Sequence, residues 1–350
     1  MHLLYLPNEV NEGDQVGPRH ALSLLCQKGL LDQVTVFSYL VEAKKYGDWS
    51  KMMNELFNVI QENLPDLILV QHLGKNQITE KDVQKIKSFY KDHTPVIAYD
   101  ERDVYGYFRK PLPKTVLDFA RLCDAVFLVA AGSFANRFRK AGCKNVYYLS
   151  HVSNDVIFGK PWQPTMERKY DVIMIGNRAT RKFSLLEMPG VKEREELVKK
   201  FSLKYGERFA VFGKGWEKFQ RSEGPISFTF QEEIARQSWI CIGHDHFYNY
   251  EGYFSNRLPI ALFSGVPFVS RKTPGIENLL IDGYHCRFFY SIDESIEICD
   301  ELLKWPKERL IDLGLRGSDF AKKYLNEEVR MARLIEILTQ IKQSRTCMVD

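Results

Sequence analysis

The sequence predicts an α/β fold of two doubly wound domains, each with a mostly parallel sheet between helices. Strand and helix patterns alternate along both halves of the chain, which is typical of repeated βαβ units. Residues 153–169 interrupt this alternation with two prolines, the first of them in a Gly-Lys-Pro turn. With 350 residues, 45% of them hydrophobic, the chain is long enough to bury two cores.

In the first half, short apolar runs predict six strands and the amphipathic stretches between them predict five helices. The predicted strands are residues 3–6, 34–39, 67–71, 96–99, 125–129 and 146–149, and the predicted helices are residues 17–28, 49–63, 80–90, 114–122 and 134–140.

The second half restarts the pattern at residue 170. Strands are predicted at residues 170–177, 208–212, 239–243, 266–270 and 287–290, and helices at residues 192–205, 232–237, 293–303, 307–324 and 327–343. We therefore expect a first domain over residues 1–155, a linker over 156–169, a second domain over 170–326, and a C-terminal helix and tail over 327–350. The apolar stripe of that last helix predicts that it packs on the body of the protein.

Composition limits the class of protein. Lys and Arg total 49 against 45 acidic residues, and a net charge of +4 does not require a polyanionic partner. The seven cysteines include no C-x-x-C pair, and no apolar run approaches the ~20 residues needed to span a bilayer. These features predict a cytoplasmic protein with reduced thiols and leave its oligomeric state open.

The most informative segment runs from residue 253 to residue 277 and predicts a loop, a short helix, a buried strand and a second loop. Ser255 or Asn256 is expected to cap the helix, and Pro259 falls in its first turn. Arg257 then projects from a helix start, which favours anions. Gly265 is expected to end the helix as a C′ glycine.

Two further loops of the second half follow predicted strands. Asn177, Arg178 and Arg181 follow the first strand, where cations can meet phosphate or acceptor, although a solvated basic loop is the plain alternative. Lys214 lies between glycines after the next strand, beside Trp216. That tryptophan either stacks on a base or packs in the turn.

Metal binding receives little support from the sequence. His244 and His246 share one face of an extended segment, but no third ligand follows at a suitable spacing. No Asp-x-Asp motif follows a predicted strand, since Asp100-Glu101-Arg102-Asp103 is interrupted by arginine. We therefore predict no metal and no cofactor.

Three stretches resemble nucleotide-sugar glycosyltransferases of the GT-B fold: YDVIMIGN, FAVFGKGW, and YFSNRLPIALFSGVPFVS followed by PGIENLL. They look most similar to the spore-maturation-type group within the group 1 glycosyl transferases, a branch also common in bacteriophages. The resemblance covers roughly residues 170–337. It implies two Rossmann-like domains facing a central cleft. Ile260 occupies a position where relatives usually carry a glutamate that holds the donor ribose.

The resemblance also implies roles for loops outside that central segment. Gly275, Ile276 and Glu277 match the family's loop that meets the donor, where backbone N–H groups can bind anions, while Glu277 can instead serve only the helix dipole. In the first domain, Gly13, Gly17 and His20 are candidates because the family's first loop faces donor phosphates and acceptor. These glycines do not form the G-x-G-x-x-G pattern of dinucleotide sites.

Asp100, Glu101 and Asp103 follow the predicted fourth strand, at an edge where ligands bind in such sheets. A carboxylate there can activate an acceptor hydroxyl, hydrogen-bond the sugar, or simply cap the next turn. We take Asp100 and Asp103 as catalytic candidates, together with His20 and Arg257.

The resulting hypothesis is a metal-independent glycosyltransferase that moves a sugar from a UDP- or GDP-linked donor to an acceptor hydroxyl. Arg257 would neutralise the departing diphosphate. The acceptor is a glycan, a small molecule or DNA. One alternative is a DNA-modifying enzyme acting on hydroxymethylated bases, suggested by two basic clusters. Another is a catalytically silent sugar-nucleotide or glycan-binding module. The basic clusters are Arg102, Arg109, Lys110, Lys114 and Arg137, Arg139, Lys140, Lys144.

Overall fold

A computed structural model describes residues 1–91, 93–179 and 187–346. Arg181, a predicted binding residue, lies outside the described residues. The chain divides into two compact units. Unit 1 comprises Met1–Tyr105, Pro111–Leu149 and Glu327–Asp350, and unit 2 comprises Gly106–Lys110 and Ser150–Asn326.

Unit 1 is built on a six-stranded parallel sheet with the order β2-β1-β3-β4-β5-β6. Its strands are β1 (His2–Leu6), β2 (Gln33–Val36), β3 (Leu67–Gln71), β4 (Val96–Glu101), β5 (Ala125–Leu128) and β6 (Val146–Tyr148). Its helices are α1 (Val16–Gln27), α2 (Tyr39–Tyr46), α3 (Trp49–Asn63), α4 (Glu80–Ser88), α5 (Lys114–Ala120), α6 (Gly132–Lys140) and α12 (Glu327–Thr346).

The C-terminal helix α12 belongs to the core of unit 1. Its apolar stripe packs with side chains of β1, β3 and α1. Burial of such side chains contributes about 1.5–3 kcal/mol each. The prediction that this helix packs on the body is confirmed. The buried residues of the stripe are Met331, Leu334, Ile335, Ile337 and Leu338.

Unit 2 contains a second six-stranded parallel sheet, with the order β12-β11-β10-β7-β8-β9. Its strands are β7 (Tyr170–Ile175), β8 (Phe209–Phe212), β9 (Ser222–Gly224), β10 (Ser238–Gly243), β11 (Phe268–Arg271) and β12 (Arg287–Phe289). Its helices are α7 (Val191–Tyr205), α8 (Gln231–Ala235), α9 (Arg257–Phe263), α10 (Ile292–Leu303) and α11 (Lys307–Tyr324). The prediction of two doubly wound domains is confirmed.

Two local predictions were wrong. Asp100 and Glu101 were expected after the fourth strand, but both belong to β4, because Asp100 pairs with Gln71 of β3 and Glu101 with Leu128 of β5. Ser255 and Asn256 were expected to cap α9, but neither makes a capping hydrogen bond. Gly265 adopts φ +75° after this helix, as expected of a C′ glycine.

No helix in the described part of the chain combines the length and the apolar character needed to cross a membrane.

Candidate active site

Unit 2 contains a pocket at the carboxyl ends of β7 and β8, the edge where open parallel sheets bind ligands. Its empty space, including the open solvent at its mouth, is about 600 Å³. Gly176 and Gly213 contribute backbone to its wall, and Arg257 contributes a cation. The other lining residues are Ile175, Asn177, Phe212, Ile226, Phe228, Gln231 and Asn256.

Gly213 allows the loops after β7 and β8 to touch. A Cβ atom on Gly213 would lie 2.5 Å from the carbonyl oxygen of Gly176, and its φ of +143° also favours glycine. Trp216 strengthens this junction, because its indole Nε1 donates to the same carbonyl at 2.7 Å from a fully buried position. Trp216 therefore packs in the turn and does not offer a stacking face.

Arg257 is oriented by Asp245, which lies just beyond β10. Arg257 Nη2 donates to Asp245 Oδ1 at 2.7 Å. Ser255 donates to the same carboxylate through its hydroxyl at 2.6 Å and its backbone N–H at 2.9 Å. Burial opposes the charge of Asp245, but Arg257 and Ser255 outweigh it and lower the pKa of Asp245 to about 2. This use of the Ser255 side chain explains why it does not cap α9.

A second guanidinium lies beneath this pocket. Arg194 of α7 is fully buried, and its Nη2 donates to the carbonyl of Asn177 at 2.9 Å. Its Nη1 donates to the carbonyl of His244. Burial, and then the charge of Arg257, lower the pKa of Arg194 to about 9. Arg194 thereby connects the loop after β7 to the loop after β10.

The two histidines beside Asp245 are neutral side chains. Burial, followed by the charge of Arg194, lowers the pKa of His244 to about 3 and that of His246 to about 4. His244 Nδ1 lies 3.0 Å from the carbonyl of Asp245, and His246 Nδ1 lies 2.9 Å from that of Pro189. Within the described residues, no group of three His, Cys, Asp or Glu side chains is arranged to hold a metal ion.

The loop residues predicted to bind the donor separate in the structure. Asn177 lines the pocket, and its Oδ1 accepts the backbone N–H of Lys214 at 2.8 Å. Arg178 instead donates to Glu195 through Nε at 2.6 Å. The Lys214 side chain is exposed to solvent. The basic loop therefore contributes an amide to the lining, while its first arginine is engaged elsewhere.

The predicted loop after β11 lies outside the lining of this pocket. Gly275 has φ +80° and precedes a short 3-10 turn, Ile276–Asn278. The Ile276 side chain is buried in the core, so only its backbone can meet a ligand. The Glu277 side chain is exposed, and its Oε2 lies 3.7 Å from Nζ of Lys272.

In unit 1, a histidine and a buried glutamate meet at the carboxyl ends of β3 and β4. His72 follows β3 directly, and its Nδ1 lies 2.6 Å from Oε1 of Glu101, the last residue of β4. Glu101 is fully buried and also accepts hydrogen bonds from Tyr99 at 2.5 Å and Tyr105 at 3.4 Å. Because a carboxylate only accepts, Nδ1 carries the proton and Nε2 is the basic nitrogen.

His72 also has an unusual backbone. Its φ of +43° places a non-glycine residue in the left-handed region, a conformation that costs of the order of 1–2 kcal/mol. Two hydrogen bonds fix this backbone. The His72 N–H donates to the backbone carbonyl of Asp100 at 3.0 Å, and the His72 carbonyl accepts from the Tyr39 hydroxyl at 2.8 Å. About a quarter of the His72 side chain is exposed. Strain of this kind concentrates at functional positions.

Asp100, a predicted catalytic residue, is enclosed by arginines. Its carboxylate accepts from Arg330 at 2.7 and 2.8 Å and from Arg102 at 2.9 Å, and it is fully buried. Burial opposes its charge, but the two guanidiniums lower the pKa of Asp100 to about 2. This geometry favours a structural ion pair. Asp103 lies nearby, and its Oδ1 accepts the N–H of Val104 at 2.8 Å.

The loop after β1 is organised by Glu9. This buried carboxylate accepts from Arg19 at 2.7 and 2.8 Å and from the N–H of Gly13 at 3.3 Å. The predicted residues Gly17 and His20 both lie in α1, where Gly17 is buried and His20 is exposed. Glu9 fixes the loop internally, and the described contacts do not bring His20 to the pair formed by His72.

Residues 192–336 match a protein family described as glycosyl transferase-like. The chain carries a glycosyl transferase-like domain over these residues.

Solved structures support the two-domain GT-B fold of this chain. An α-glucosyltransferase in complex with UDP and a 13-mer DNA containing an HMU base matches with a TM-score of 0.64 and 9% identity, covering 97% of this chain and 99% of its own. HepE of Anabaena in complex with UDP-glucose matches with a TM-score of 0.60 and 11% identity, over 97% and 100% of the two chains.

A third similar structure is the sucrose-phosphate synthase of Thermosynechococcus elongatus, with a TM-score of 0.60 and 10% identity over 98% of this chain and 100% of its own. At these identities the likenesses establish the fold. No curated protein sequence matched the chain.

Sequence reasoning missed four residues of the two candidate sites: Asp245, Arg194, His72 and Gln231. His72 could have been found, because it follows the strand predicted at residues 67–71 just as Asp100 follows the strand predicted at residues 96–99. Asp245 lies between His244 and His246, and no local pattern connects its carboxylate with Arg257, twelve residues later. Arg194 lies in the first turn of α7, and no sequence pattern indicates that its side chain reaches two strand-end loops.

Proposed function

We propose that this enzyme transfers a sugar from a nucleoside diphosphate sugar to an acceptor hydroxyl, with the donor held in the unit 2 pocket. The observation that carries the proposal is Arg257, a guanidinium fixed by Asp245 at the wall of a pocket of about 600 Å³. Gly176 and Gly213 line this pocket with backbone rather than with side chains.

During transfer, the bond between the anomeric carbon and the diphosphate oxygen breaks, and the electron pair leaves with the diphosphate. Arg257 can donate two parallel hydrogen bonds to the oxygens that gain this charge. We propose that this cation, without a metal ion, stabilises the leaving group. The new bond forms between the acceptor oxygen and the anomeric carbon, and the acceptor proton passes to a base.

Ile260 requires a different contact for the donor ribose. Its side chain is buried and lines a smaller, mostly apolar cavity beside the main pocket, together with Ala261 and Phe268. Gln231 lines both cavities. We assign the ribose contact to the Gln231 amide, which can both donate and accept.

UDP is the first donor to test, because HepE and the α-glucosyltransferase were both solved with UDP or a UDP-sugar. Exposed Phe228 at the pocket wall offers a face for the base. GDP-linked sugars are the second choice.

For the acceptor, unit 1 offers the His72–Glu101 pair. We propose that Nε2 of His72 takes the acceptor proton, while Glu101 holds the ring and stabilises the imidazolium that forms. Asp100 is excluded from this role by its two arginine partners.

DNA with a hydroxymethylated base is the second candidate acceptor. A loop of exposed aromatic and basic residues supports it: Tyr107 and Phe108 are 71% and 82% exposed, next to Arg109. Aromatic faces stack on bases and arginine binds phosphate. Arg102, counted in the basic cluster from sequence, is not available, because it pairs with Asp100 and Glu327.

The test is turnover with a panel of UDP- and GDP-sugars, preceded by thermal-shift measurements with UDP and GDP. We expect UDP to raise the melting temperature and one UDP-sugar to be hydrolysed slowly without acceptor. Stabilisation without any turnover would identify a binding module instead. Stabilisation by neither nucleotide would overturn the proposal. Tight, salt-sensitive binding of a hydroxymethylated oligonucleotide, lost in a Tyr107→Ala/Phe108→Ala variant, would select DNA as acceptor.

The compartment proposed is the cytoplasm. The described cysteines are free thiols, five of them buried, which fits a reducing environment.

A further inference from the structure

Arg194 is a buried cation for which the described residues supply no carboxylate partner of its own. It is fully buried in α7, and its hydrogen bonds run to two backbone carbonyls, those of Asn177 and His244. Arginines in protein interiors are normally paired with a carboxylate, because an isolated buried charge is costly. The nearby carboxylate of Asp245 is already engaged by Arg257 and Ser255.

Arg194 lies directly under the donor pocket. A Cβ atom on Gly176 would meet Arg194 Nη2 at 2.9 Å and Arg257 Cδ at 3.2 Å, so both arginines pack against the same pocket glycine. Since His244 and His246 are neutral, the cluster around Gly176 holds two positive charges and one negative charge. This excess positive charge favours the binding of an anion in the pocket.

We propose that Arg194 is a positioning residue that makes the donor pocket selective for the diphosphate group, through its fixed charge and its hold on the Asn177 loop. The inference rests on the proposed function, because it concerns the same donor. Arg194 does not contact the ligand itself. It acts through Gly176 and Asn177, and a charge fixed in a dry interior interacts more strongly than one in water.

The chain offers a matched control in Arg168. This arginine is also buried in unit 2, donates to the backbone carbonyl of Ser238 at 2.6 Å and stacks on Trp239, with 4.2 Å from Cζ to the ring centroid. Ser238 begins β10, whereas His244, bound by Arg194, follows the end of the same strand. The two arginines therefore hold opposite ends of one strand, and only Arg194 lies at the pocket.

The experiment compares the affinities of UDP and uridine for the full-length enzyme, measured by titration calorimetry or ligand NMR, in wild type, Arg194→Gln, Arg194→Lys and Arg168→Gln. Glutamine removes the charge but keeps a donor for one carbonyl. We expect Arg194→Gln to weaken UDP binding by roughly ten- to a hundredfold while uridine binding changes little. Arg194→Lys, which keeps the charge, should preserve the ratio of the two affinities, and so should Arg168→Gln.

The inference is overturned if Arg194→Gln keeps the ratio of UDP to uridine affinity, or if Arg168→Gln lowers that ratio as much. If Arg194→Gln does not fold, Arg194→Lys decides the matter, because a collapse of its ratio would show that charge is not the determinant. Failure of wild type to bind UDP or GDP would instead refute the proposed function. The two failures are therefore distinguishable.

Discussion

The carboxyl edges of the two sheets share one topology but carry opposite charge arrangements. In unit 1, two carboxylates at or just beyond this edge, Glu9 and Asp100, are neutralised by arginines from the same unit. In unit 2, the strand ends carry glycines, and the arginines beneath them outnumber the carboxylates. The charges at the first edge are thus balanced within the unit, while the second edge keeps an excess of positive charge. Among the described residues of unit 1, Glu101 is the strand-end carboxylate that contacts a histidine, His72.

The sharpest way to test this division is to remove that histidine. We expect His72→Ala to lower turnover roughly 10²- to 10⁴-fold, the usual contribution of a general base, while UDP affinity stays within about twofold. Steady-state kinetics with the donor found in the panel, and calorimetry with UDP, measure the two effects.

His20→Ala provides the comparison for this experiment, because His20 was the competing histidine and is exposed on α1. Its turnover should stay within about twofold. The turnover of Glu101→Gln should lie between those of His72→Ala and His20→Ala, since the amide still holds the ring but no longer stabilises the imidazolium. Full turnover in His72→Ala would remove the histidine from the reaction.

The internal neutralisation of unit 1 predicts a large effect on stability. Asp100→Asn leaves Arg330 and Arg102 without their shared carboxylate, and breaking a buried pair costs about 3–5 kcal/mol. Urea unfolding at neutral pH measures this loss. Asp118→Asn, which breaks only an exposed pair with Arg121, should stay within about 0.5 kcal/mol.

The same ion pair sets a pH dependence. The pKa of Asp100 is lowered to about 2 in the folded protein from an ordinary value of 3.8. Its contribution to stability is therefore fully present above about pH 4 and is lost as the pH falls toward 2. Asp100→Asn should flatten the acid limb of the stability curve. An unchanged acid limb would contradict a buried, ionised Asp100.

The sequence predicts the features of the two edges that depend on local patterns, and it misses those that depend on tertiary contacts. Apolar runs predicted every strand of the two sheets except β9, and Gly265 and Pro259 predicted the limits of α9, because these signals are local. The boundary of β4 was missed, because Asp100 and Glu101 are charged, and their burial depends on the tertiary partners Arg330 for Asp100 and His72 for Glu101. Arg194 could not be assigned, since its role depends on two loops far away in sequence.

The positive edge of unit 2 is tested most directly at Arg257. We expect Arg257→Ala to lower turnover roughly 10²- to 10³-fold, as removal of one donor to a developing charge does. Arg208→Ala is the matched control, since Arg208 precedes β8 and pairs with Asp171 at the other end of the sheet. Comparable losses in the two variants would indicate a general loss of stability, and no loss in Arg257→Ala would end its assignment.

The smallest expected effect tests whether Asp245 acts by orienting Arg257 or through its own negative charge. Asp245→Asn keeps an oxygen near Arg257 but removes a negative charge from the vicinity of the diphosphate. If Asp245 only orients Arg257, turnover should fall roughly tenfold, because a hydrogen bond between charged groups is weakened. UDP affinity should meanwhile hold or rise slightly, because one charge that repels the diphosphate is gone. A parallel fall in turnover and in UDP affinity would mean that Asp245 maintains the pocket itself, and the excess of positive charge would then not explain donor binding.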